Sequence, residues 1–269
     1  MRRQLVFLVL AVVLCAAPLL PGQTSPSEQV QVGPPPVRRA EAPSASATVE
    51  ELEQKGDAFQ ADKNYIDAAD YYRAALKKQP NLARLHNKLG ISELQRQRFK
   101  EAKKEFERAI RTDHQYADAY NNLGVVFYEQ KNYGKAIKQY QKAIAIRADA
   151  ASYFCNMGAA YFNKKEIENA FRAYSQALQL DPDVLERTSR TGVTAQLPSP
   201  EDRAHYDYVM AKLWAKIGNT DRSLEYLKRA VEEGYKGIDD VYKDAEFAGL
   251  RKDPRFTQLM AARPPAIPE

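Results

Sequence analysis

Glycines stand at positions 56, 90, 124 and 158, a constant interval of 34 residues, each inside a stretch that otherwise reads as helix. Glycine within a helix costs about 1 kcal/mol relative to alanine, so four of them in one register need a packing reason. The register carries more than glycine. Twelve positions after each comes an alanine (Ala68, Ala102, Ala136, Ala170), four further a ring (Tyr72, Phe106, Tyr140, Tyr174), and three beyond that a second alanine (Ala75, Ala109, Ala143, Ala177). Spacings of i, i+4 and i+7 place these three on one helix face. Each unit therefore reads as two antiparallel helices. The glycine on the first lets the second approach closely, the ring fills the space beside it, and the alanines repeat the close approach toward the next unit.

The pattern Leu123, Gly124, Ala136, Tyr140, Ala143, with its period of 34, resembles the tetratricopeptide repeat family over residues 49–182. Departures are modest. Lys55 replaces the apolar residue before Gly56, Glu93 stands where other units carry Phe59, Phe127 and Tyr161, and His114 and Ala148 take the place of Pro80 and Pro182. The resemblance implies an all-α fold: a right-handed superhelical solenoid of antiparallel helix pairs, about five repeats long, with a C-terminal helical cap.

Residues 1–22 pair two arginines, Arg2 and Arg3, with an apolar stretch from Leu5 to Leu20 and then small residues, the layout of a signal peptide. The chain is accordingly expected to be exported, periplasmic or secreted. Retention of the stretch as a membrane anchor, or a lipid anchor through Cys15, are the alternatives. Residues 23–47, rich in Pro, Ser and Ala, read as a disordered linker. Thr48 and Glu51 form a capping box that opens the ordered part. Four repeats then fill 48–182, and an insertion loop without helical periodicity follows at 183–200. A divergent fifth repeat spans 201–234, with Ser223, Leu227 and Ala230 in the alanine–ring–alanine places and Ala211 in that of glycine. Residues 235–269 form a cap and tail that resembles the end-of-group segment of some bacterial tetratricopeptide arrays. A solenoid must cover its last apolar face.

Catalysis needs convergent groups, and none can be read here. His86, His114 and His205 lie at no metal-ligand spacing, and there is no phosphate-binding glycine loop. No enzyme activity, cofactor or metal is expected. The net charge of +5, which falls to +3 once Arg2 and Arg3 are removed with the signal, is too mild for nucleic-acid binding, and basic residues alternate with acids.

The informative residues lie on the first helices, which line the concave wall of such a stack. Read in rows 34 apart, they give Asn87, Asn121, Cys155; Lys88, Asn122, Asn156; Leu94, Tyr128, Phe162; and, at the edge, Arg84, Asp118, Ser152. An asparagine amide both donates and accepts, so it can hold a peptide backbone. Arg84, Asn87, Lys88, Asn121, Asn122, Tyr128, Asn156 and Phe162 are thus the candidate peptide-binding groove, its aromatics supplying apolar contacts. A similar asparagine ladder serves some tetratricopeptide proteins. The family's other mode, a clamp of Lys and Arg for terminal carboxylates, is not matched, because the repeat after Arg84 and Lys88 offers Asp118, Asn121 and Asn122. The expected function is a non-catalytic scaffold that binds a peptide or partner protein. The alternative is an accessory subunit of an envelope or enzyme complex, docking through the 183–200 insertion or the convex face.

Overall fold

Helix boundaries recur with the sequence. First helices occupy Val49–Ala61 (α1), Ala83–Gln95 (α3), Ala117–Glu129 (α5) and Ala151–Asn163 (α7), and second helices Tyr65–Lys78 (α2), Phe99–Thr112 (α4), Tyr133–Ile146 (α6) and Ile167–Leu180 (α8). The computed structural model describes residues 41–185, 197 and 199–262. The chain divides into two units, 1–39 and 40–269, and all described residues belong to the second. A fifth pair, Pro200–Lys216 (α9) and Thr220–Glu232 (α10), precedes three short 3-10 turns at Ile238–Tyr242, Ala245–Ala248 and Leu250–Lys252, and a last helix, Pro254–Ala261 (α11). No strand occurs among the described residues.

The glycines do what their register predicts. An added β-carbon at Gly56 would lie 2.6 Å from the Tyr72 ring, at Gly90 2.6 Å from Phe106, at Gly124 2.5 Å from Tyr140 and at Gly158 2.9 Å from Tyr174. The ring of each second helix thus rests directly on the bare backbone of the first. Rings and alanines together are sealed: Tyr72, Phe106, Tyr140 and all eight register alanines have no exposed surface. In the fifth pair a smaller ring-place residue, Leu227, allows Ala211 where the others require glycine, and the Ser223 hydroxyl donates to the Ala211 carbonyl at 2.8 Å.

Helix ends follow local chemistry. Glu51 N–H donates to Thr48 Oγ1 at 3.1 Å while Thr48 N–H donates to the Glu51 carboxylate at 2.8 Å. Ser199 caps α9, with Pro200 in the first turn, and Gly234 takes a left-handed φ of 75° after α10. The turn inside each pair was not anticipated. Lys63, Gln97, Lys131 and Lys165 all adopt φ near +60°, at the same 34-residue interval, and only the fifth pair places a glycine there, Gly218. A side chain at such a φ costs energy, so the tightness of the hairpin outweighs it four times over.

The linker boundary expected at 47 shifts N-terminally. The Glu41 carbonyl accepts from the Tyr71 hydroxyl at 3.0 Å and the Ala45 carbonyl from the Lys78 ammonium at 2.8 Å, so residues 41–47 lie on α2. Residues 1–40, which include the expected signal and most of the expected linker, lie outside the described residues, as do 186–196 and 198 of the expected insertion and 263–269 of the expected tail. At the other end, Val241, Phe247, Leu250, Phe256 and Met260 bury themselves on Tyr208, Ala211, Leu227 and Ala230, which covers the last apolar face.

Candidate functional site

Successive first helices touch with an offset of 35 residues rather than 34. Glu53 meets Lys88, Asn87 meets Asn122, Asp118 meets Tyr153, Asn121 meets Asn156 and Tyr128 meets Asn163. Side chains on a helix lean toward its N-terminus, so equivalent positions stand side by side while contacts run one position on. The two asparagine rows are consequently one structure. Asn156 donates to Asn121 at 2.9 Å, Asn121 to Asn122 at 3.2 Å and Asn122 to Asn87 at 2.9 Å. Four amides from three repeats form a relay whose two inter-repeat bonds both donate toward the N-terminal repeat.

This relay corrects part of the expected groove. Asn87, Asn121 and Asn156 are buried, at 5, 8 and 3% exposure, because they hold one another between helices. Tyr128 and Phe162, each 1% exposed, are core residues rather than ligand contacts. The Tyr128 hydroxyl accepts from Asn163 at 2.8 Å, and its ring lies 5.4 Å from that of Tyr133. Phe162 is covered by α9, edge-on to Tyr206 at 5.3 Å and to His205 at 5.9 Å. Arg84 and Lys88 are engaged by the first repeat: both reach Glu53, and Lys88 also reaches Asp57 at 2.7 Å. Although desolvation opposes it, these bonds hold the Lys88 ammonium above its ordinary pKa.

Asn122 is the member left accessible. It has two N–H groups and two acceptor lone pairs, and its bonds to Asn121 and Asn87 use one of each. It opens into a cleft of about 510 Å³ between α3, α5 and α7, whose walls include Leu94 and Gln95 on one side and Val125 and Glu129 on the other. Glu129 is exposed, yet the crowded wall desolvates its carboxyl enough to raise the pKa. Val125 and Glu129 were missed in the sequence, though their spacing from Asn121 (four and eight positions) and from Asn122 (three and seven) marks the same helix face.

The remaining candidates are structural. His86 is buried, its Nδ1 2.8 Å from the Glu105 carboxylate and its Nε2 2.9 Å from the Pro80 carbonyl. Cys155 is buried in the core formed by α5 to α9. Among the described residues no group of three or more His, Cys, Asp or Glu is placed to hold a metal ion, and no helix is long and apolar enough to cross a membrane.

Two family models, both described as tetratricopeptide repeat, match this chain, one over residues 53–102 and 87–153 and the other over 151–184. The chain belongs to the tetratricopeptide repeat family. One of the solved structures it resembles, titled "Functional Characterization of Pseudomonas Aeruginosa pilF", has a TM-score of 0.53 and agrees on the fold. It is 19% identical and covers 80% of this chain and 97% of its own. MamA is 21% identical over 68% and 96% of the two chains, TM-score 0.47. YrrB, described as a TPR protein with an unusual peptide-binding site, is 18% identical over 68% and 84%, TM-score 0.46. No protein of curated function matches the chain. As a tetratricopeptide array the chain is, in its general kind, a protein–protein interaction scaffold.

Proposed function

We propose that this tetratricopeptide array is a non-catalytic adaptor that holds an extended segment of a partner protein in the cleft between α3, α5 and α7, and that it does so outside the cytoplasm. The observation that carries the reading is Asn122: a cleft-lining polar side chain fixed from both sides by the amide relay, whose two bonds leave one donor and one acceptor unused. A pre-ordered amide costs little entropy when a peptide backbone docks. Leu94 and Val125, partly exposed on either side, offer apolar contact to alternate side chains. Export rests on the arginine pair and apolar run of residues 1–22.

The test places a photo-crosslinking amino acid at Val125 and, as control, at exposed Lys138. Adducts from intact cells are then identified by mass spectrometry. Adducts at 125 that are absent at 138, and that weaken with Asn122→Ala, are the expected result. Loss of a backbone-satisfying amide should cost about 1–3 kcal/mol of affinity. Equal or no crosslinking at the two positions sinks the reading. Asn122→Ala removes a partner from buried Asn87 and Asn121, so its helical circular dichroism must match the parent before its crosslinking is scored; Asn156→Ala, itself buried, is not used.

A further inference from the structure

A second cleft, of about 980 Å³, lies between α2, α3 and α4. Its cationic side chains are Arg73, Lys77, Arg108 and Arg111, and its one acid is Glu105. That acid is consumed internally. One carboxylate oxygen lies 2.8 Å from His86 Nδ1 and the other accepts from Arg108 at 2.7 Å. Arg73 is steadied by Asp70 and Glu93. Lys77 and Arg111 form no ion pair with any described residue and are exposed. Leu76 and the buried Leu89 give the cleft an apolar floor.

The repeat pattern does not require this charge. The positions 34 residues further on are Glu107, Arg111, Lys142 and Ala145, and those 68 further on are Gln141, Ala145, Gln176 and Gln179. The formal charge of the set therefore drops along the array from four positive, to one, to none. The opening is equally local. Tyr120 takes the place of His86 in the next interface, with the Lys142 ammonium 5.7 Å from its ring, and Phe154 takes it in the one after. The imidazole is smaller than either ring and is drawn to Glu105 and Pro80 instead. Like charges crowded beside an apolar floor repel one another unless an anion joins them.

We infer that this cleft binds an acidic peptide segment of a protein partner, its carboxylates on Lys77 and Arg111 and an apolar side chain on Leu76 and Leu89. The site is separate from the asparagine cleft. A surface for nucleic acid would continue its cations along the array, whereas these stop after one interface.

The test is selection of random twelve-residue peptides displayed on phage against the full-length chain, followed by affinity measurement by fluorescence anisotropy. An acid-rich class should emerge. Its affinity should fall at least tenfold for Lys77→Ser combined with Arg111→Ser, a change of exposed residues that leaves the helical circular dichroism intact, and should be unaltered by Lys138→Ser, an exposed cation outside the cleft. His86→Tyr, which restores the ring of the neighbouring repeats, should also block it. The inference is overturned if no acid-rich class appears, if its peptides bind the Lys77 and Arg111 variant undiminished, or if a twelve-nucleotide single strand displaces them and binds more tightly.

Discussion

Gly124 and Gly134 are ten positions apart in the same repeat and make opposite predictions. A β-carbon at Gly124 meets the Tyr140 ring at 2.5 Å, whereas one at Gly134 has nothing within 4 Å. Alanine at 124 must push a buried ring with no exposed surface, an overpacking that costs about 1–3 kcal/mol. Alanine at 134, in the first turn of α6, gains helix propensity, up to about 1 kcal/mol. Thermal unfolding of the two variants should show melting shifts of opposite sign. Shifts of the same sign would contradict the ring-on-glycine contact. This contact was legible from the sequence because glycine, alanine and ring recur in phase. The burial of Asn87, Asn121, Asn156, Tyr128 and Phe162 was not. Rows taken at 34 residues align equivalent positions, while neighbouring helices touch at 35, so the partners stood in different rows. Phe162 had a further cover that no repeat spacing announces, since α9 arrives after an insertion that breaks the period.

Among the helices, the α9–α10 pair carries the cost of a buried, desolvated aspartate. Asp207 on α9 is buried, at 9% exposure. Desolvation pushes its carboxyl up to about 6, with the nearby cations Arg229 and Arg203 only partly offsetting burial and the Glu233 charge. Because the folded pKa exceeds the unfolded one, the native state holds the proton more tightly between about pH 4 and 6, and stability falls as pH rises through that window. Above it the full penalty remains, up to roughly 3 kcal/mol for a two-unit displacement. Asp207→Asn should therefore stabilise this pair at pH 7 and change little at pH 4, as read by urea unfolding at the two values. A benefit that is equal at both would assign the effect to packing. The helices themselves and their caps, such as Thr48 with Glu51 and Ser199 before Pro200, could be read directly, because capping is local chemistry. The left-handed turns at Lys63, Gln97, Lys131 and Lys165 could not, since lysine and glutamine carry no turn signal. Only Gly218 did.

Along the array, each repeat touches chiefly its neighbours, so stability should behave as a sum of repeat terms and interface terms. The buried clusters follow this arrangement. One joins α5 to α9, another lies around α1 and α2, and the last joins α9 and α10 to the cap. Phe247, with no exposed surface, sits in that last cluster 5.6 Å from Tyr208. Truncating a buried phenylalanine to alanine costs about 3–5 kcal/mol. In a protein with a single shared core, that loss would lower protection against hydrogen exchange everywhere. Here Phe247→Ala should expose Tyr208, Ala211 and Leu227, collapse protection in α9 and α10, and leave α1 to α4 close to the parent. Residue-resolved hydrogen exchange distinguishes the two cases. A uniform drop across all the helices would mean that the array folds as one unit, and the clefts at its N-terminal end would then depend on the cap that closes the other.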